Sequence, residues 1–326
     1  MRTSTKLAAL ALLVALVAVF AFIATRSPGA PSPTTGPTGS PAASPSAVAS
    51  PSAVASPSAV AEACTRDNLD TMTAGGLTIG TDNPAFPPYF LPRAGGNTEP
   101  WDPEQGDPTS GEGFESAVAY AIADELGFAK EDVTWVVVPF LNAFQPGEKD
   151  FDFDINQVTF SEERTAGADL SDGYYFGNQA VVVRADGPFA AAKTITELKA
   201  AKLGAQVGTT SLATIEEVIQ PTQEASVYQS NDDAIEALGN EQIQGIVVDL
   251  PTAFFIVNVQ TSGNAIIGQI GPDAGADPEH FSVVVEKDSP LTDCVNQAIA
   301  ALADAGTLDA LADQWLPDKD VPELQP

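Results

Sequence analysis

Arg164 is the residue in this chain best suited to gripping an anion. It closes the run FDINQVTFSEER (153–164), which reads as a buried strand, a polar turn and then a cation. The chain carries 14 Lys and Arg against 44 Asp and Glu, and beyond residue 70 its only arginines are Arg93, Arg164 and Arg184. A guanidinium just past a strand end, behind Asn156, Gln157 and Thr159, presents the planar fork that pairs with a carboxylate. The competing reading is a surface ion pair with Glu162 or Glu163, which contributes little. Thr209 and Thr210 sit at a helix start in GTTSLATIEEVI (208–219), where free N–H groups and the helix dipole attract anions. They serve equally as ordinary caps. Asp249 ends the strand-like GIVVD and suits an ammonium group, or caps the next helix. Phe86, Tyr89 and Phe140 are able to flank an organic body or to fill the core. Together these groups are complementary to a free α-amino acid.

The elements that must position them alternate. Strands are expected at 77–82, 133–140, 151–160, 180–186, 245–249 and 281–290. Between them lie helical stretches, the clearest being GFESAVAYAIADELG (113–127). It places Val118, Ile122 and Leu126 on one face and stops at Gly127. Two more helices fill 291–316, interrupted near Gly306. Such alternation predicts α/β architecture with parallel sheets, in which ligands bind beyond the carboxyl ends of the strands. Asp82, Arg164 and Asp249 all stand at such ends.

Composition narrows the function. A hydrophobic content of 44% supports a real core, and the net charge of -30 argues against a nucleic-acid partner and against adhesion to anionic lipid. An acidic surface of this kind favours a soluble monomer. Residues 7–25 are apolar and uncharged, behind Arg2 and Lys6 and before Arg26. This predicts an N-terminal segment (1–26) that acts as signal or membrane anchor. Its length, and a poor cleavage match in SPGA (27–30), favour an uncleaved anchor with the rest of the chain outside. Residues 27–63 read as a Ser/Pro/Ala-rich tether that cannot fold, with ASPSAV three times in tandem at 43–60. Cys64 and Cys294 either pair, closing a loop of roughly 230 residues, or remain two buried thiols. The single histidine, His280, and the lack of CxxC spacing exclude most zinc sites and histidine-dependent hydrolases, and no cofactor is expected.

From about 75 to 317 the chain resembles the polar amino-acid-binding family of ABC-importer solute-binding proteins. The matching stretches are TIGTDNPAFPPY (78–89), GFESAVAYAIADELG (113–127), FDFDINQVTFSEER (151–164), SDGYYFGNQAVVV (171–183), GAQVGTTS (204–211), DDAIEALGNEQIQGIVVDLPTA (232–253) and DAGTLDALADQWL (304–316). The resemblance implies a two-lobed periplasmic-binding-protein type II fold with two hinge crossovers, near 180–185 and 266–272, and a ligand cleft between the lobes. Lobe 1 would be 64–182 plus 273–326 and lobe 2 183–272, which puts both cysteines in lobe 1. It further implies that Arg164 holds the ligand α-carboxylate, with Thr210 and Thr209 adding to it from lobe 2. Thr159 and the backbone around Gln157 would serve the α-amino and carboxylate groups. Asp249 would take the α-ammonium, Phe86 would stack on the ligand, and Asp82 would lie near its side chain. The implied partner is an ABC-transporter permease and the implied site is extracytoplasmic. Two residues depart from the family pattern: Gln157 stands where Ser or Gly is usual, and Asp154 interrupts an apolar strand. An N-terminal helix and tether replace the usual lipidated cysteine. The same fold also hosts cyclohexadienyl or arogenate dehydratases, for which Glu115 or Asp82 would be the general acid, and ligand-sensing receptor domains.

Overall fold

The computed structural model describes residues 64–272, 278–317 and 320–326; the expected anchor and tether lie outside the described residues. Ten strands, β1 (Leu77–Thr81), β2 (Val133–Val137), β3 (Phe153–Asp154), β4 (Asp169–Phe176), β5 (Gln179–Arg184), β6 (Leu203–Gln206), β7 (Ser226–Tyr228), β8 (Gly245–Asp249), β9 (Asn264–Ile270) and β10 (His280–Val285), form two sheets. The helices in chain order are α1 (Phe114–Glu125), α2 (Phe140–Ala143), α3 (Ile195–Leu198), α4 (Thr210–Ala213), α5 (Asn231–Gly239), α6 (Leu250–Phe255), α7 (Leu291–Asp304) and α8 (Thr307–Trp315).

The first sheet runs β2-β1-β3-β10-β4 and the second β7-β6-β8-β5-β9. Each has a parallel part and is completed by antiparallel strands. β1 pairs in parallel with β2 and β3, while β10 is antiparallel to β3 and β4. In the second sheet β6 is parallel to β7 and β8, while β5 is antiparallel to β8 and β9. The expected all-parallel arrangement therefore holds only for part of each sheet. A strand that has just crossed between lobes enters from the opposite side and can only pair antiparallel.

Local sequence explains the best-formed elements. Val118, Ile122 and Leu126 are all buried against the first sheet, and Gly127 ends α1 with φ +85°. Gly113 before α1 has φ +98°, and a Cβ there would lie 2.5 Å from the Tyr89 carbonyl. Only glycine lets the chain pass this close. The predicted strand at 151–160 shrinks to Phe153–Asp154, because Gln157 turns the backbone at φ +48°. β4 was not expected as a strand. It is an edge strand with a polar alternation, Asp169 to Phe176, so only part of it is buried.

The lobe boundaries shift from those expected. β5 pairs with β8 and β9 over its whole length, so Gln179–Val182 belong to lobe 2 and the crossing lies at 177–178. The C-terminal residues also leave lobe 1. Leu324 is buried in the lobe 2 core, and backbone bridges join Gln325 to Thr194 and Glu323 to Gln269. β9 is an edge strand, and the tail covers its open backbone groups. Cys64 and Cys294 are disulfide-bonded and tie the start of the described chain to α7.

Candidate functional site

All nine residues expected to bind ligand line one cleft between the two sheets: Asp82, Phe86, Phe140, Gln157, Thr159, Arg164, Thr209, Thr210 and Asp249. Asp82 follows β1, Asp249 closes β8, Phe140 and Thr210 open helices and Thr209 caps one, while Phe86, Gln157, Thr159 and Arg164 lie on the segments after β1 and β3, which is why residues distant in sequence converge there. The cleft leaves about 40 Å³ of open space, far below the roughly 300 Å³ at which small-molecule pockets begin. Its walls already touch. Arg164 Nη2 donates to the Gly208 carbonyl at 2.8 Å, Thr210 Oγ1 to Thr159 Oγ1 at 3.2 Å, and the Tyr89 hydroxyl bonds Thr252 Oγ1 at 3.1 Å. A ligand has to part these lobes to enter.

Arg164 is not a surface ion pair. It is 7% exposed, and its other fork nitrogen donates to the Thr159 carbonyl. Its guanidinium carbon lies 5.6 Å from the Phe140 ring and 4.6 Å from the Phe144 ring. Among the described residues no salt bridge includes it. Burial pulls its pKa down to about 10, against the opposing pull of Asp249 and Glu279. It remains a cation at neutral pH, held by neutral carbonyls.

Asp249 occupies the N-cap position of α6, but its side chain caps nothing there. Its Oδ1 instead accepts from Gln179 Nε2 at 3.0 Å. Burial raises its pKa to about 7; Glu279 pushes it further up, while Gln179 and Arg164 pull it down. Thr209 is an ordinary cap, accepting from the Leu212 N–H at 3.2 Å, whereas Thr210 turns towards Thr159. Asp82 accepts from the N–H groups of Asn83 at 2.7 Å and Phe140 at 3.3 Å, so it also fixes the start of α2. Burial raises its pKa despite those bonds. Tyr89 is fully buried and belongs to the core except for its hydroxyl.

The two departures now have surroundings. Gln157 has φ +48°, a conformation that suits glycine. A buried carboxylate holds it there: Glu115 accepts from the Gln157 N–H at 2.7 Å, from its side-chain amide and from the Tyr174 hydroxyl. Glu115 is 0% exposed and lies behind Gln157 rather than in the cleft, with its pKa raised to about 7 by burial. Asp154 is also 0% exposed and neither of its oxygens has a hydrogen-bond partner. Burial first, then Glu115 and Asp82, push its pKa well above the usual aspartate value, against a smaller opposing pull from Lys149.

Sequence reasoning missed Gln206, Ser211, Asn231 and Thr252, which also line the cleft. Gln206 ends β6, and the other three lie in the first turn of a helix. The strand-end rule that found Asp82 and Asp249 would have found Gln206, and the helix-start rule that found Thr209 and Thr210 the other three. Gln179 and Glu279 were missed for a different reason: they meet only because the starts of β5 and β10, far apart in sequence, lie side by side.

Residues 94–318 match the model of the bacterial extracellular solute-binding proteins, family 3. The chain belongs to that family. This solute-binding protein is 24% identical over 221 residues to the arginine-binding extracellular protein ArtP of Bacillus subtilis, covering 67% of this chain and 82% of the relative. It is 29% identical over 245 residues to the L-cystine-binding protein TcyJ of Escherichia coli K12, covering 74% and 82%. An ancestral arginine-binding protein bound to arginine superposes with a TM-score of 0.57 at 26% identity, covering 74% of this chain and 98% of that one. The arginine-, lysine-, histidine-binding protein ArtJ of Geobacillus stearothermophilus shares the fold, with a TM-score of 0.58 at 20% identity over 75% of this chain and 98% of that one. The family is one of extracellular solute-binding proteins, and ArtP is likewise named as extracellular. Among the described residues no helix is long and apolar enough to cross a membrane.

Proposed function

We propose that this solute-binding protein grips a free α-amino acid with a cationic side chain and hands it to the permease of an ABC importer. One observation carries the reading. Arg164 is a buried cation in the cleft whose two fork nitrogens donate to neutral carbonyls, and Asp249 faces the same space. Arg164 takes the α-carboxylate as a two-pronged pair, helped by Thr210 and Thr209. Asp249 takes the α-ammonium, with Thr159 and the backbone at Gln157 beside it. Phe86 and Phe140 flank the aliphatic part, and Asp82 meets the far end. A second cation on the ligand balances the surplus of acids over Arg164, and relatives named for arginine support that choice. The chain works as a monomer, with residues 1–26 as anchor and 27–63 as tether.

A thermal-shift screen of the twenty amino acids tests the reading. A ligand at a hundred times its Kd adds about 2.7 kcal/mol of stability, and arginine or lysine is expected to give the largest shift. Arg164→Ala leaves the ligand carboxylate unpaired and is expected to cost roughly 3–5 kcal/mol, a hundredfold to several thousandfold in Kd by calorimetry. Unchanged affinity in that variant would show that Arg164 does not hold the ligand.

A further inference from the structure

Gln179 and Glu279 stand where the chain passes between lobes: Gln179 opens β5, and Glu279 immediately precedes β10. The Gln179 amide is buried, at 2% exposure. Its Nε2 faces three oxygens: Asp249 Oδ1 at 3.0 Å, Glu279 Oε2 at 2.9 Å and Thr210 Oγ1 at 3.3 Å. Its Oε1 accepts from Ser211 at 2.7 Å. An amide nitrogen has two hydrogens, so three acceptors compete for two. Both carboxylates thus share one neutral side-chain donor, and Asp249 adds to it its own backbone N–H. Arg164 is near enough to be felt by both, but its fork is spent on the Thr159 and Gly208 carbonyls. No salt bridge among the described residues includes Asp249 or Glu279.

The other titratable groups around Asp249 do not relieve it. Glu115 on α1 is a further acid, Tyr89 and Tyr175 are held neutral with pKa values pushed upward, and Glu163 draws on the charge of Arg164. Two like charges on one desolvated nitrogen do not both ionise readily. We propose that Glu279 is a second acid of the ammonium subsite: Asp249 and Glu279 share one proton in the ligand-free protein and release it when the ligand α-ammonium binds. The carboxylic O–H breaks, the proton passes to solvent, and N–H···O bonds from the ammonium replace it. Nothing is oxidised or reduced. Burial raises the pKa of Asp249 to about 7 and that of Glu279 in the same direction, which puts the release near neutral pH. The bound state needs both acids ionised. Affinity therefore falls as pH drops through that range, by about tenfold per pH unit for one proton, and levels off above it.

This inference deepens the proposed function and rests on it, so the test has two arms. Carboxyl NMR titration of the ligand-free protein reads the shared proton directly. One of the two acids is expected to titrate near neutral pH in wild type, and Asp249 to move down in Glu279→Gln. Calorimetry with L-arginine, in buffers of differing ionisation enthalpy from pH 5.5 to 8.5, reads the release. Close to one proton per ligand is expected for wild type near pH 6, and a clearly smaller number with a flatter pH profile for Glu279→Gln. Gln179→Leu, which removes the shared donor without touching either acid, is expected to raise the titration further. Normal carboxylate titration of both acids, or the same proton count in wild type and Glu279→Gln, overturns the inference. Failure of L-arginine to bind at any pH overturns the cationic-ligand reading instead, while the NMR arm still decides the shared proton.

Discussion

The two lobes are built from different material. The lobe 1 core is aromatic: Tyr89, Phe90, Trp101, Phe114, Phe128, Trp135, Phe153, Tyr174, Tyr175 and Phe281 are all buried there. The two core layers of lobe 2 bury only Ala, Val, Ile and Leu. Lobe 1 also buries ionisable groups outright, among them Asp107, Glu115, Asp152, Asp154 and Arg164, and carries the disulfide. Lobe 2 offers the cleft hydroxyls and amides at strand and helix ends, with Asp249 only partly exposed beside them. A buried charge costs several kcal/mol unless its surroundings are fixed to receive it. Large interlocked rings and a covalent tie provide that fixity, so the buried cation of the cleft stands on the stiff side. The aliphatic lobe brings neutral donors that need less support.

The largest expected effect tests that asymmetry directly. Replacing Cys64 and Cys294 with Ser should cost about 2–5 kcal/mol. Amide exchange should show the loss in lobe 1, with the β5, β6 and β8 protection little changed. Equal loosening of both lobes would show that the tie stabilises the molecule as one unit.

Asp154 gives the next largest effect. Its folded pKa lies well above its unfolded value, so the stability tied to its proton is present at low pH and is lost as pH rises through the folded pKa. Asp154→Asn removes that loss. Relative to wild type the variant should gain stability with pH above about 4, by at most about 1.4 kcal/mol per unit, as urea unfolding at pH 4, 6 and 8 would measure. Parallel curves would mean that lobe 1 holds this group as a carboxylate. The smallest effect belongs to lobe 2: in the ligand-free protein Thr209→Ala removes a cap and the bond to the Gln206 carbonyl and should cost about 1 kcal/mol in chemical denaturation. A much larger loss would show that lobe 2 depends on its cleft edge as strongly as lobe 1 does.

Much of the site was legible because its residues follow a local rule. Asp82, Thr210 and Asp249 could be placed by finding where a strand stops or a helix starts, and Arg164 by its isolation among acids. The α1 face at Val118, Ile122 and Leu126 was equally plain from its spacing. β4 was hidden because an edge strand need not show a full apolar run, and the C-terminal tail because Leu324 is one apolar residue amid polar ones. The Gln179, Asp249 and Glu279 meeting had no local signature, since the amide and the two acids come from three separate segments.

By itself, then, the sequence determined the α/β class, the family, the cation of the cleft and the pair of cysteines able to close lobe 1. The class and the cation follow from residue type and short-range spacing, which act before the chain is compact; the family and the lobe that the cysteines close follow from the resemblance of the matching stretches. Only the tertiary structure decided that Arg164 is buried and spends its fork on carbonyls, that Glu115 braces Gln157 from behind, and that Asp249 and Glu279 lean on one amide. Each depends on desolvation and on groups brought together from far along the chain, and none exists until both sheets have formed.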